Sequence, residues 1–172
     1  MRRLLCIGLV VLGTGCGYGF AARRGQLPTQ GKRVHAPAFL NSTSEAGLDA
    51  VFTAAFRSEL AAMHADGPAD SEVEARGEVT ALGGGPGLPF TRVAPGGSGS
   101  EVSSLASYSV AASACIRLVE GSKALGSTCV SGSEDYPPGA DALQIDAARR
   151  VALRRLAQRL MREAIDRLAS DF

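Results

Sequence analysis

The chain has 172 residues, with 18 Lys+Arg against 17 Asp+Glu, a formal net charge of +1 and 20% charged residues. That balance gives no bulk electrostatic basis for nucleic-acid binding, and the length suits one domain with a real core. Aromatic residues make up 5% and tryptophan is absent, so the core has to be built from Val, Leu, Ile, Ala and a few Phe.

The first element is a targeting segment. Arg2 and Arg3 precede an almost unbroken apolar run over residues 4–12, the n-region and h-region of an export signal. The run is shorter than the about 20 residues that a membrane-spanning helix needs. Gly13, Thr14 and Gly15 offer a peptidase small residues, as at an ordinary cleavage site. Cys16 gives the segment a second reading, because Leu12-Gly13-Thr14-Gly15-Cys16 resembles a bacterial lipobox, with Gly13 where leucine is usual. In a lipobox the cysteine thiol is acylated and the chain is cut just before it. Gly17 stands where an aspartate would retain the protein at the inner membrane, so the resemblance implies the outer membrane. More than one acyl chain gives stable anchoring. Loss of residues 1–15 removes Arg2 and Arg3 and brings the net charge to about −1. It also removes Cys6 and leaves Cys115 and Cys129 as a pair, in a compartment where disulfides persist.

The next elements alternate between strand and helix patterns. In "KRVHAPAFLN" (residues 32–41) a short strand is expected around Val34, stopped by Pro37. Ser42 and Glu45 have the spacing of a capping box. Leu48, Val51, Phe52, Ala55, Leu60 and Met63 then recur with helical period, which predicts a helix over 44–64. "SEVEARGEVTAL" puts Val73, Ala75, Gly77, Val79 and Ala81 on one face and Glu72, Glu74, Arg76, Glu78 and Thr80 on the other, a strand with one buried face. Residues 83–104 are dense in Gly, Pro and Ser and predict a long mobile loop. They lack the G-x-x-x-x-G-K-[ST] spacing of a phosphate-binding loop.

Two strands follow, "SYSVAASACIRLVE" and "KALGSTCVSGSED", with Gly121-Ser122 at the turn. Asp141 and Gln144 offer a cap to a last helix running to about Leu168, with Leu153, Leu156, Ala157, Leu160, Ala164 and Leu168 on its apolar face. The order β-α-β-β-β-α predicts an α+β two-layer sandwich, a four-stranded, mostly antiparallel sheet with two helices packed on one face. The expected divisions are a cleaved signal at 1–15, a lipidated N-terminal linker at 16–31 and a single domain at 32–172.

The turn length decides the cysteines. A three-residue loop over 121–123 pairs Glu120 with Ala124 and sets Cys115 opposite Cys129, close enough for a disulfide once local twist adjusts the gap. A two-residue loop shifts the register by one and leaves two small residues on opposite faces.

Catalytic chemistry finds little support. His35 sits beside a strand proline and His64 at a helix end, and the chain has neither H-E-x-x-H nor Cys-His metal spacing. Glu72, Glu74 and Glu78 share the polar face of one strand, as a solvated face would. No serine lies in a G-x-S-x-G setting. The expectation is a protein that is not an enzyme, with no catalytic residue, metal or cofactor.

The strongest pattern is the order of short motifs. Cys16-Gly17-Tyr18, Leu27-Pro28, Lys32, Val34, Pro37, Phe39, Asn41, Thr43 and Gly47-Leu48 resemble the opening of the lipopolysaccharide-assembly lipoproteins, the LptE family. "ARGEVTAL", "YSVAASACIRLVEGSKALGS" and the Ala- and Arg-rich last helix resemble its later elements. The resemblance implies an outer-membrane lipoprotein, lipid-anchored on the periplasmic side. It would support assembly of the LptD barrel, plug it, and help lipopolysaccharide reach the outer leaflet. In that family lipid contact is associated with basic residues near strand ends, which points to Arg92, Arg117 and Lys123. Arg155, Arg159 and Arg162 share the polar side of the last helix, either as a solvated face or as a contact with a barrel wall. A periplasmic lipoprotein that activates a cell-wall synthase is the alternative of similar layout.

Overall fold

The computed structural model describes residues 26–86 and 107–170. The first strand region divides around Pro37 into two short strands, β1 (Val34–His35) and β2 (Leu40–Asn41). Both pair in parallel with β3 (Val73–Pro86), Val34 opposite Val73 and Leu40 opposite Glu78. β3 runs antiparallel to β4 (Tyr108–Glu120), and β4 to β5 (Lys123–Tyr136). The sheet is therefore mixed and five-stranded, where four strands were expected. The extra strand arises because the short β1 segment resumes pairing at Leu40, after Pro37.

Two helices cover one face, completing an α+β two-layer sandwich. α1 (Leu48–Ala62) buries Leu48, Phe52, Phe56 and Leu60, and α2 (Ala142–Ser170) buries Leu156, Leu160, Met161, Ile165 and Leu168. Opposite them lie Val110, Ala112, Ala114, Ile116 and Leu118 of β4 and Val130 of β5. Each large aliphatic or aromatic side chain withdrawn in this way contributes about 1.5–3 kcal/mol. Packing starts ahead of residue 32, since Leu27 and Thr29, in the segment expected to be linker, are buried.

Local details depart from expectation for physical reasons. α1 starts at Leu48 rather than 44, and its N-cap is Gly47 at φ 86°, without a side-chain cap. The Ser42–Glu45 capping box does not form, because both side chains have longer-range partners: the Ser42 hydroxyl donates to the Glu78 carboxylate, and Glu45 pairs with Arg149. Asn41 instead builds the entry to the helix. Its Oδ1 accepts from the Thr43 N–H at 3.0 Å and hydroxyl at 2.7 Å, while its Nδ2 donates to the Glu45 carbonyl. This is the local side-chain turn chemistry typical of Asn. At α2 the expected cap is present, with the Gln144 N–H donating to Asp141 Oδ1 at 2.8 Å and the Ala140 N–H to Gln144 Oε1 at 3.0 Å.

β3 extends beyond its expected end. Gly83, Gly84 and Gly85 pair with Ala111, Val110 and Ser109, so residues 83–86 are strand where a loop was expected; residues 87–104 of the expected loop lie outside the described residues. Backbone pairing needs no side chain, and at Gly84, φ 139°, a Cβ would fall 2.2 Å from the Ser109 carbonyl oxygen. A register shift at Thr80 reverses the alternation, leaving Ala81 exposed and turning Leu82 towards the core.

Candidate functional site

The outer face of the sheet, opposite the helices, carries the functional candidates. In β4 the even-numbered residues from Val110 to Leu118 point to the core, so Cys115 and Arg117 point outward. The hairpin turn comprises two residues, Gly121 at φ 58° and Ser122, with Glu120 opposite Lys123. Such a turn alone would place the cysteines on opposite faces. A bulge restores the register: Ala124 pairs with Val119 and Gly126 with Leu118, leaving Leu125 unpaired, and Cys115 falls opposite Cys129. The two Cα atoms are 4.1 Å apart and the Sγ atoms are joined in a disulfide.

Around this bridge the outer face is concave, with a volume of about 640 Å³ bordered by Leu40, Arg76, Glu78, Arg117, Ser127 and Thr128. Arg117 is exposed and lies directly across from Arg76 of β3, so two arginines are cross-strand neighbours towards the hairpin end of the face. Like charges in that position repel. Arg76 is relieved by Glu74, Nε to Oε1 3.2 Å, whose hydrogen bond holds the Arg76 pKa above its ordinary value. No carboxylate pairs with Arg117 among the described residues. Lys123 is exposed at the hairpin tip, next to Glu120. Lys32 joins this end of the sheet by bonding Glu72 and Glu120 together, and its pKa is raised first by the Glu120 hydrogen bond. The same bond holds Glu120 below the usual carboxylate range. An array of this kind can hold oxyanions through the arginines while the acidic groups fix the cations in place.

The structure thus brings Arg117 and Lys123 to one end of the sheet and adds Arg76 and Lys32, which were not among the residues expected to contact lipid. Arg76 was visible on the polar face of its strand, but only the register shows that it meets Arg117. Cys16 and Arg92 lie outside the described residues.

The arginines of α2 have different surroundings from those expected. The guanidinium of Arg162 binds Glu59 of α1, Nη2 to Oε1 3.1 Å, and Glu59 is buried. Arg159 donates to the Ser133 carbonyl at 2.6 Å and stands 3.6 Å from Glu134. Their face is therefore not simply solvated. Both residues fasten α2, one to the neighbouring helix and one to the sheet. Nearer its start, α2 is tied to the loop before α1 by Arg149, whose two Nη atoms lie 2.7 and 2.5 Å from the Glu45 oxygens. Arg149 holds the Glu45 carboxyl below its usual range.

Among the described residues no group of three or more His, Cys, Asp or Glu side chains could hold a metal ion, and no helix is long and apolar enough to cross a membrane.

Comparison with solved structures shows the same fold at low identity. A protein from Caulobacter crescentus CB15 superposes with a TM-score of 0.51 at 11% identity, covering 77% of this chain and 89% of that one. The PelC dodecamer from Paraburkholderia phytofirmans gives 0.50 at 13%, covering 84% and 92%. A hypothetical protein from Chlamydia trachomatis gives 0.50 at 13%, covering 80% and 96%. No curated protein matches the chain in sequence. The model of the LptE family, described as lipopolysaccharide-assembly, matches residues 31–168. That span runs from just before β1 nearly to the end of α2, and the chain belongs to the LptE family.

Proposed function

We propose that this chain is an outer-membrane lipoprotein that supports assembly of an LptD-type barrel, plugs it, and helps hand lipopolysaccharide to the outer leaflet. The observation that carries the reading is the family match over residues 31–168, which includes all five strands, α1 and all but the last two residues of α2. The family is one of lipopolysaccharide-assembly lipoproteins and not of enzymes. Residues 1–15 act as the export signal, Cys16 receives the acyl chains, and the N-terminal segment 16–31 links the anchor to the domain. Gly17 in place of an aspartate sends the product to the outer membrane.

Lipid contact is assigned to the hairpin end of the sheet. Arg117 presents a guanidinium without a carboxylate partner among the described residues, and Lys123 stands at the exposed tip. Guanidinium groups bind phosphate in a planar, two-pronged manner that suits phosphorylated lipid. Arg92 completes the set as a sequence candidate.

The test combines the triple variant Arg92→Gln, Arg117→Gln, Lys123→Gln with Arg155→Gln as control. Lipopolysaccharide binding by the triple variant should fall while that of the control holds. Equal binding by all three proteins would remove the assignment. In parallel, Cys16→Ser should leave an unprocessed precursor or a protein released from the membrane, with palmitate labelling lost. Labelling that persists would remove the anchor.

A further inference from the structure

Among the described residues β5 ends the sheet, with β4 as its one strand neighbour. In an antiparallel pair, residues alternate between those that bond across to the neighbour and those whose N–H and C=O point away from it. The Cys115–Cys129 pair is of the second kind, since its Cα separation of 4.1 Å lies near the roughly 4.5 Å typical of non-hydrogen-bonded pairs. The backbone groups of Cys129, Ser131 and Ser133 therefore face the free edge. Two arginines of α2 reach the same edge. Arg167 donates to the Cys129 carbonyl at 2.9 Å and Arg159 to the Ser133 carbonyl at 2.6 Å.

An open edge is a template for strand addition, and the usual deterrents are lysine, proline, inward charges, bulges or a covering element. Beyond the bulge at Leu125, residues 126 to 133 of this strand carry no lysine, proline or charged side chain: they read Gly-Ser-Thr-Cys-Val-Ser-Gly-Ser. The two guanidinium groups occupy acceptors that an added strand would use. The strand is also self-complementary in charge. Antiparallel pairing about a two-fold axis at Cys129 sets Ser127 against Ser131 and brings the Lys123 end of each strand to the Glu134–Asp135 end of the other. We propose that Arg159 and Arg167 guard the edge of β5, and that the partner they hold off is a second copy of this chain pairing β5 to β5 about Cys129.

Ser131 supplies the control, because proline is tolerated in an edge strand where the lost N–H faces outward. The experiment is native mass spectrometry of the full mature protein in detergent, at matched concentration. The wild type should be monomeric with respect to itself. Arg159→Gln/Arg167→Gln should raise the dimer association constant about tenfold or more, and Ser131→Pro added to that background should return the protein to monomer. A folded double variant that stays monomeric overturns the proposal, as does a dimer that survives Ser131→Pro or open-ended oligomers in place of a dimer. If the double variant does not fold, the single variants decide. Arg167→Gln, nearest the axis, should raise dimerisation on its own, and no rise in either single variant overturns the proposal.

Discussion

Gly77 lies on the inner face of β3 under the ring of Phe39, and Gly77→Ala tests that packing directly. A Cβ at this position would sit 2.4 to 2.5 Å from three ring carbons, against an ordinary carbon–carbon contact of about 3.5–4.0 Å. The ring would have to move by about 1 Å. It has little room, being 3% exposed and packed at 5.5 Å from the Phe56 ring. Overpacking of this kind costs about 1–3 kcal/mol, and the loss of glycine freedom in the unfolded chain offsets about 0.4–1 kcal/mol. The net expectation is a destabilisation of about 1–2 kcal/mol, read as a lower urea midpoint by circular dichroism. Phe39→Ala should cost about 3–5 kcal/mol on its own, yet it also removes the obstruction. In that background Gly77→Ala should become neutral or slightly stabilising, a coupling of about 1–3 kcal/mol. Equal cost of Gly77→Ala in both backgrounds would refute the contact.

Other perturbations separate the remaining elements. Arg162→Ala should destabilise by about 1–2 kcal/mol because it takes away a partner of the buried Glu59, whereas exposed Arg155→Ala should stay within about 0.5 kcal/mol in the same urea assay. Unfolded, non-reduced mature protein should yield no alkylatable thiol from Cys115 or Cys129, and Cys115→Ser/Cys129→Ser should lose about 2–3 kcal/mol, as expected for a closed loop of this size. Two alkylated thiols would contradict the bridge. Glu45 has a folded pKa lowered from 4.5 by the Arg149 hydrogen bond, so its contribution is present above that value and disappears as pH falls through the depressed folded pKa. Acid titration of stability should therefore be shallower below pH 4.5 for Glu45→Gln than for the wild type.

Periodicity carried the strands and helices well where one face is buried without interruption. β4 and α2 are examples, since the alternation of Val110 to Leu118 and the spacing of Leu153 to Leu168 each have one solution. The register was harder to read because two single-residue irregularities set it. The bulge at Leu125 brings Cys115 opposite Cys129 across a two-residue turn, and the shift at Thr80 reverses the faces of Ala81 and Leu82. A change of phase, apolar at Val79 and again at Leu82, was the one sign of the second in the sequence. Glycine misled as a marker of loops, because Gly83 to Gly85 pair as a strand.

The same limit applies to the site. Exposure of Arg117 and Lys123 follows from strand parity and turn position, which the sequence supplies. That Arg76 faces Arg117, or that Arg162 finds Glu59 103 positions away, depends on contacts no local pattern encodes. Motif residues Asn41, Thr43 and Gly47 were visible as a family resemblance, and their structural role is to build the entry to α1.

The central claim is that this protein works with a barrel in the outer membrane. Mass spectrometry of what co-elutes with the detergent-solubilised, acylated protein tests it most directly. The account predicts one large outer-membrane β-barrel protein, with lipopolysaccharide retained in the complex. Co-elution of a soluble cell-wall synthase instead, with no barrel, would contradict it.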